Sequence, residues 1–328
     1  MDPGSLAAAL AAVVADSLGV TSVEVQEVRR LSGGASRESW SFDAIHDGGV
    51  EPLILRRAPA AISDAIGPTM MLEAAAMREA ARVGVPSPQV LFATADKEPL
   101  GGSGIVMSRV DGETIGRKIV RDDTFAEVRP RLARQCGEVL GRLHGMDPAA
   151  LPPVADSYAL DGLRALLDES KVASPMLELA LRWLELNRPV STRRTVVHGD
   201  FRNGNLVVGP DGLRAVLDWE LIHLGDPIED LGWLCTRAWR FGGDGPVGGF
   251  GEYDDLLAGY EATSGQRVDL DVLRWWELLG TVKWGVICIV QANRHLVGGQ
   301  RSVELAAVGR RLVEQEYDCL ELLEELTT

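Results

Sequence analysis

The chain has 328 residues, 46% hydrophobic and 25% charged, a composition typical of a folded globular protein rather than a disordered or fibrous one. Its 33 basic and 48 acidic side chains give a net charge of −15, which disfavours nucleic acid and anionic membranes as partners. The four cysteines lack the paired spacing of a zinc site or a disulfide framework, so we expect a cytoplasmic protein. Its apolar stretches are too short to predict a membrane span.

The first third of the chain predicts a small sheet that carries one main helix. After an amphipathic N-terminal helix, alternating apolar and polar residues predict five strands. These strands are Val23–Val28, Glu38–Ile45, Pro52–Ala58, Gln89–Ala95 and Ser103–Val110. A stretch rich in Ala, Met and Glu predicts a helix over Met70–Arg82, which Gly84 and Pro86 end.

From Asp111 onward the pattern is mostly helical, so we expect two lobes that meet near residues 108–112. The predicted helices are Phe125–His144, Leu160–Glu169, Pro175–Asn187, Tyr253–Thr263, Leu270–Asn293 and Ser302–Leu326. Two short strands, Asn205–Gly209 and Leu213–Glu220, interrupt them, and the Pro-Asp-Gly between them predicts a hairpin. The glycine-rich segment Phe241–Gly251 is typical of a loop that moves, and such a loop would be suited to close over a substrate.

Three polar residues around this hairpin carry the chemistry. Asp200 precedes Asn205 by five positions, and the hairpin returns the chain so that Asp218 lies beside Asn205. An amide oxygen and a carboxylate are hard ligands that suit Mg²⁺, while the other carboxylate is placed to accept a proton from a hydroxyl. This is the pattern of phosphoryl transfer, in which two residues hold the metal and one acts as the base. Turn-forming and capping roles are the simpler alternative for the same residues.

The stretch His198-Gly199-Asp200, then Asn205, then Asp218-Trp219-Glu220 resembles the signature of the aminoglycoside phosphotransferase family, a branch of the protein-kinase-like fold. The resemblance extends over nearly the whole chain. It implies a bilobal α+β fold, with a small N-terminal lobe of antiparallel sheet and one main helix and a larger, mostly helical C-terminal lobe. It also implies that Asp200 is the base and that Asn205 and Asp218 bind magnesium.

For the residues around this signature we favour structural roles over roles in catalysis or binding. In this fold the histidine at His198 more often braces the catalytic loop than acts in catalysis. Asp226 and Asp230, beside Pro227 at a predicted helix start, are expected to act as a cap and a brace. The tryptophans of the C-terminal half are more often core residues, although they would also suit stacking on an acceptor.

The nucleotide site that the resemblance implies lies in residues 1–107, with a hinge at 108–112 and the catalytic and acceptor-binding lobe at 113–328. The absence of a G-x-x-x-x-G-K-[ST] motif excludes a Walker-type site. Arg56 stands where the family carries a phosphate-binding lysine that pairs with a helix glutamate, here Glu73 or Glu79, unless Arg56 and Arg57 are only solvated charges. The expected nucleotide-binding residues are Ser32, Gly33, Gly34, Ser36, Arg56, Glu73, Met107, Ser108 and Val110.

These observations predict a Mg²⁺-dependent enzyme that moves the γ-phosphate of ATP or GTP to a hydroxyl of a small molecule. The acceptor stays open: the arginine of Leu53-Ile54-Leu55-Arg56 resembles the branch that phosphorylates hydroxyacyl-CoA, whereas the acidic net charge favours a cationic antibiotic. A pseudokinase that only binds nucleotide is the alternative, and Arg56 is its best argument. Protein phosphorylation is disfavoured because no activation-loop-sized segment follows Asp218.

Overall fold

The computed structural model describes residues 3–31, 37–59, 69–157, 159–190 and 193–327. The chain divides into two compact units, and both are discontinuous in sequence. The first unit comprises Met1–Gly112, Met146–Val154 and Arg214–Ile222, and the second comprises Glu113–Gly145, Ala155–Leu213 and His223–Thr328.

The first unit is built on a five-stranded sheet in the order β1-β2-β3-β5-β4, in which every pairing is antiparallel. Its strands are β1 (Glu24–Arg30), β2 (Glu38–His46), β3 (Gly49–Pro59), β4 (Val90–Thr94) and β5 (Gly102–Ser108). All five predicted strands are therefore confirmed. Alternation along β2 and β3 buries Phe42, Ala44, Leu53 and Leu55 on the same side, because neighbouring positions on a strand face opposite ways.

Two helices accompany this sheet. Helix α1 (Pro3–Leu18) confirms the predicted N-terminal helix and packs Leu6 and Leu10 into the apolar cluster of the sheet. Helix α2 (Met70–Arg82) begins and ends where the sequence predicts. The hydroxyl of Thr69 caps its start by accepting a hydrogen bond from the backbone N–H of Leu72 at 3.2 Å.

The second unit is mostly helical. Its helices are α3 (Gly116–Arg121), α4 (Arg129–Leu143), α5 (Ala159–Ser170), α6 (Pro175–Leu186), α7 (Ile228–Cys235), α8 (Tyr253–Ser264), α9 (Leu270–Leu296), α10 (Val303–Arg310) and α11 (Leu312–Thr327). The prediction that a helix begins at Phe125 is wrong, since α4 begins beside Pro130, a residue suited to a first helical turn. The single helix predicted over Ser302–Leu326 is two helices, separated at Arg311.

The short strands are more numerous than the sequence predicts. The predicted hairpin is confirmed as β7 (Leu206–Gly209) paired with β8 (Gly212–Val216). A second pair, β6 (Thr195–Val197) with β9 (His223–Gly225), was not predicted, because three-residue strands carry almost no periodic signal. Together with the antiparallel sheet and the helical second unit, these strands confirm the predicted α+β class.

The segment Phe241–Gly251, for which the sequence predicts a mobile loop, uses its glycines for close backbone contacts. Its backbone closes on itself through bridges from Gly245 to Gly249 and from Val247 to Gly251, and Val247 is fully buried. A Cβ at Gly249 would lie 2.1 Å from the carbonyl oxygen of Arg240. The glycines permit close packing of the backbone in this structure.

The described part of the chain bears on membrane spans and on the cysteines. No helix there is long and apolar enough to cross a membrane. All four cysteines are buried and free, and burial raises the pKa of the Cys288 thiol to about 11.

Helices α4 and α8 approach so closely that glycine is required between them. A Cβ on Gly137 would lie 2.0 Å from the carbonyl oxygen of Leu256, whereas a Cβ on the exposed Gly162 of α5 would meet nothing within 4 Å. We expect Gly137→Ala to lower the free energy of unfolding by about 1–3 kcal/mol through overpacking. Gly162→Ala, the matched control, should raise it by roughly 0.5–1 kcal/mol through helix propensity. Urea unfolding checks both, and equal effects would contradict the packing argument.

Candidate active site

The loop after β6 places Asp200 at the surface of the second unit. Gly199 and Gly204 have φ values of +80° and +110°, which only glycine adopts without strain, so the loop turns sharply on either side of Asp200. The Asp200 side chain is 15% exposed. It is therefore anchored in the protein and still open to a substrate.

The Asp200 carboxylate accepts hydrogen bonds from three side chains. The indole Nε1 of Trp233 donates to Oδ1 at 2.8 Å and Nε of Arg202 donates to the same oxygen at 3.0 Å. The amide Nδ2 of Asn205 donates to Oδ2 at 2.6 Å and to the Asp200 carbonyl at 3.0 Å. These contacts fix the orientation of the carboxylate. Because Nδ2 of Asn205 is committed to Asp200, Oδ1 of Asn205 is the atom left for a cation.

A second, fully buried carboxylate holds the backbone of this loop. Asp230 on α7 accepts the backbone N–H of His198 at 2.8 Å and of Gly199 at 2.9 Å, and it lies 3.2 Å from Nε2 of His144. Burial opposes ionisation of Asp230, but the hydrogen bond with His144 and the backbone donors keep its pKa below the usual 3.8. The predicted bracing role of Asp230 is confirmed.

The other two predictions for this loop also hold. His198 is fully buried, and its Nδ1 accepts the backbone N–H of Asp200 at 3.2 Å, a bracing contact rather than a catalytic one. Asp226 caps the start of α7, since its Oδ1 accepts the backbone N–H of Ile228 at 2.9 Å. Each side chain therefore stabilises the backbone around Asp200 or α7.

Lys283 is a residue of the site that the sequence analysis missed. From α9 it donates to the carbonyl of Gly199 at 3.3 Å and to Glu229 at 3.1 Å. Its ammonium also lies 4.7 Å from the ring centroid of Trp233. A cation over an indole ring strengthens the ring N–H as a donor, here toward Asp200. A lone lysine in an apolar helix was the only sequence signal.

The first unit holds a separate cluster of charges on β3, α2 and the turn after β8. Arg56 lies 2.6 Å from Oδ1 of Asp218, 2.7 Å from Oε2 of Glu220 and 3.4 Å from Oε2 of Glu73. Arg37 also pairs with Glu73, which is only 1% exposed. Arg56 is therefore no solvated charge, and Glu73 is its helix partner. Glu79 pairs instead with Arg82 and is not the partner.

The structure describes one of the two remaining nucleotide-binding segments that the sequence predicts, but not the other. Ser32, Gly33, Gly34 and Ser36 lie outside the described residues. At the end of β5, the backbone N–H of Ser108 already donates to the Gln89 carbonyl and that of Arg109 to the Pro52 carbonyl, both at 2.8–2.9 Å. Met107 is half-buried beside them. Val110 follows these residues and is half-buried.

The donors at the predicted metal site are suited to magnesium. Among the described residues no group of three or more His, Cys, Asp or Glu side chains could hold a metal ion. Magnesium does not need such a group, because it binds one or two carboxylates and completes its shell with water and substrate phosphates. The amide oxygen of Asn205, in the second unit, and the carboxylate of Asp218, in the first, are both oxygen donors of the type that Mg²⁺ prefers.

Fold and loop together define a phosphotransferase of the protein-kinase-like class. The chain belongs to the phosphotransferase enzyme family, APH, whose family model matches residues 27–276. A solved structure from Ralstonia eutropha, provisionally named an aminoglycoside phosphotransferase, superposes with a TM-score of 0.72 at 20% identity, covering 91% of this chain and 92% of the other. A ternary complex of aminoglycoside phosphotransferase APH(4)-Ia with ADP and hygromycin B gives a TM-score of 0.61 at 16% identity, covering 96% and 98%.

Among curated sequences the chain is similar to parts of larger proteins. It is 29% identical over 234 residues to mouse acyl-CoA dehydrogenase family member 10, which covers 66% of this chain and 21% of that protein. It is 26% identical over 260 residues to chicken acyl-CoA dehydrogenase family member 11, covering 71% and 33%. The chain thus spans about a fifth to a third of these relatives.

Replacing Asp230 by Asn tests the brace. The neutral amide has only one acceptor oxygen for two backbone donors, so we expect Asp230→Asn to lower the free energy of unfolding by about 2–3 kcal/mol at neutral pH. Since the pKa of Asp230 is lowered in the folded state, its contribution is complete above pH 3.8 and is lost as the pH falls through the folded pKa. The difference from the wild type should therefore be constant at pH 6–8 and shrink below 3.8. Denaturant unfolding across pH measures it, and a difference that grows with acid would contradict the assignment.

Proposed function

We propose that this protein transfers the γ-phosphate of ATP or GTP to a hydroxyl group of a small molecule, with Mg²⁺. The observation that carries the proposal is the orientation of Asp200 by Trp233, Arg202 and Asn205, which leaves a fixed, partly exposed carboxylate. Family membership supports the reaction class. The ADP and hygromycin B complex of a structural relative supports a nucleotide and a small-molecule acceptor.

In this proposal each residue has one task. Asp200 accepts the proton of the acceptor hydroxyl as that oxygen attacks the γ-phosphorus and the bond to the β-phosphate oxygen breaks. Asn205 and Asp218 hold Mg²⁺, which neutralises charge on the phosphate oxygens when it is bound. Arg56 binds phosphate oxygens through its fork of N–H groups, and Glu73 holds that fork in place.

The remaining predicted parts complete the nucleotide site. We assign residues 1–107 to nucleotide binding, 108–112 to a hinge and 113–328 to catalysis and acceptor binding. Ser32, Gly33, Gly34 and Ser36 would present backbone N–H groups to the phosphates. Val110 would bind the nucleobase through its backbone amide, with Met107 and Ser108 beside it.

The relatives suggest two classes of acceptor for this protein. Hydroxylated antibiotics are suggested by the structural relative bound to hygromycin B, and hydroxyacyl-CoA thioesters by the acyl-CoA dehydrogenase family members. We favour the thioester because the sequence similarity extends over two thirds of the chain. The pseudokinase alternative is not favoured, since Arg56 keeps the ion pair with Glu73 that an active nucleotide site requires.

Substitutions at Asp200 and Asp218 should separate chemistry from binding. We expect Asp200→Ala to retain nucleotide affinity and to lose transfer by about 10²- to 10⁴-fold, the usual contribution of a general base. Asp218→Ala should weaken binding of the magnesium nucleotide itself. ADP release with a panel of hydroxylated acceptors, and calorimetry with a non-hydrolysable ATP analogue, measure the two effects. Full turnover by Asp200→Ala would show that the base is misassigned.

Arg56 decides between an enzyme and a binding module. We expect Arg56→Lys to retain measurable transfer and Arg56→Met to lose at least about tenfold in nucleotide affinity, since a charge-assisted phosphate contact is worth roughly 1.5–3 kcal/mol. Arg57→Met is the control for stability, because the adjacent Arg57 is more buried than Arg56 and binds Glu38 and the Leu100 carbonyl. Wild-type protein without magnesium-dependent ATP hydrolysis above the Asp200→Ala background would favour the pseudokinase.

A further inference from the structure

The two oxygens of the Asp200 carboxylate have different surroundings. Oδ1 accepts a hydrogen bond from Nε1 of Trp233 at 2.8 Å and a second from Nε of Arg202 at 3.0 Å. Oδ2 accepts one from Nδ2 of Asn205 at 2.6 Å. A carboxylate oxygen has roughly two lone-pair directions, so these contacts of the described residues use both on Oδ1 and leave one on Oδ2. Oδ2 is therefore the oxygen open to a proton from a hydroxyl.

One side chain, Trp239, contacts both donors to Oδ1. The guanidinium carbon of Arg202 lies 4.5 Å from the centroid of the Trp239 ring, and the ring centroid of Trp233 lies 5.1 Å from it. A guanidinium is attracted to the face of an indole, and two aromatic rings at this distance also attract each other. The indole nitrogen of Trp239 is buried without a hydrogen-bond partner in the described structure. The contribution of Trp239 therefore comes from its ring faces.

The turn that contains Trp239 is fixed by a buried ion pair. Trp239 ends a single turn of 3-10 helix, and the next residue, Arg240, donates to Oε1 of Glu277 on α9 at 2.7 Å. Glu277 is only 1% exposed, and its Oε2 accepts the hydroxyl of Tyr253 at 2.7 Å. Phe241 follows with φ 49°, a conformation that a bulky residue keeps only where its surroundings hold it. The ring of Trp239 therefore has a defined position.

The segment after Trp239 also contacts the Asp200 loop directly. Nδ2 of the fully buried Asn203 donates to the carbonyl of Gly248 at 2.8 Å. A Cβ on Gly204 would lie 2.8 Å from Nη1 of Arg202 and 3.7 Å from Cζ of Phe241, so glycine at this position leaves space for the guanidinium. The loop and the segment thus hold each other through several contacts, and Arg202 stays over the ring of Trp239.

We propose that Trp239 is a positioning residue for the transfer reaction, because its ring holds Arg202 and Trp233 on Oδ1 of Asp200 and so presents Oδ2 to the acceptor hydroxyl. The inference rests on the proposed function, in which Asp200 accepts the hydroxyl proton. That proton passes to Oδ2 as the hydroxyl oxygen bonds to the γ-phosphorus. The bond from this phosphorus to the β-phosphate oxygen breaks, and the nucleoside diphosphate leaves.

Loss of the Trp239 ring should lower kcat and leave nucleotide binding intact. The assay is magnesium-dependent ATP hydrolysis without added acceptor, in which water replaces the hydroxyl. We expect Trp239→Leu to lower kcat about tenfold to hundredfold through misplacement of the base, with KM for ATP unchanged. Trp239→Phe keeps an aromatic face and should retain about a third of wild-type kcat. Trp275→Leu is the matched control, since Trp275 is equally buried but packs in the core of α5, α6 and α9.

A double-mutant cycle with Arg202 separates positioning from a loss of folding. In an Arg202→Gln background, Trp239→Leu should lower kcat at most about threefold further, because most of its effect passes through Arg202. Urea unfolding checks that each variant is folded at the assay temperature. Fully additive losses, wild-type kcat in Trp239→Leu or an equal loss of kcat in Trp275→Leu would overturn the proposal.

The indole N–H of Trp233 gives a measurement that does not depend on activity. Its NMR resonance, assigned with Trp233→Phe, should exchange slowly with solvent because it is held on Oδ1 of Asp200. We expect Trp239→Leu to shift this resonance and to speed its exchange at least about tenfold, and Trp275→Leu to leave it in place. An unmoved resonance in Trp239→Leu would refute the positioning role. A moved resonance in a protein whose wild type hydrolyses no ATP would support the positioning role and reject the transfer reaction instead.

Discussion

A buried carboxylate needs hydrogen-bond donors close to it, and Asp230 accepts hydrogen bonds from the backbone of the loop that carries Asp200. Removing a charged group from water is costly unless hydrogen bonds replace the lost solvent, so Asp230 binds two consecutive backbone N–H groups and a histidine. The same contacts fix the path of the chain through His198 and Gly199. The position of Asp200 therefore depends on the solvation requirement of another aspartate, thirty residues later in the sequence.

Arginine at position 56 makes more ion pairs in the first unit than one lysine could make with the same geometry. One guanidinium reaches Glu73, Asp218 and Glu220 together, which a compact ammonium on a flexible stem would do with less geometric definition. The partners come from a helix and from the turn after β8. Asp218 has φ 65° and ψ 65°, a left-handed conformation that directs the chain into that turn. The arginine thus organises the three carboxylates of this cluster.

The sequence was sufficient for the five strands of the first unit, for α2 and for the hairpin of β7 and β8, because these elements depend on short-range patterns. Helix α2 has caps and periodicity that define both of its ends, and Asp200 with Asn205 lies within one loop. The contact between Arg56 and Asp218 joins residues 162 positions apart, and no local pattern encodes it. The contacts of Trp233 and Lys283 with the Asp200 loop were also hidden, since a tryptophan or lysine on an apolar helix gives the same pattern whether it packs in the core or contacts a loop. The break at Arg311 has no proline to mark it, and Gly309, two residues earlier, lies inside α10 and gives only a weak signal.

The range matched by the family begins at residue 27 and ends at residue 276, inside α9. Helix α1 lies before it, and Lys283, Trp284 and the whole of α10 and α11 lie after it. The matched range therefore contains the loop of Asp200 and the turn of Asp218 but not Lys283, which donates to the carbonyl of Gly199 from α9. The backbone of the Asp200 loop is thus held in part by a side chain that lies beyond the range common to the family model.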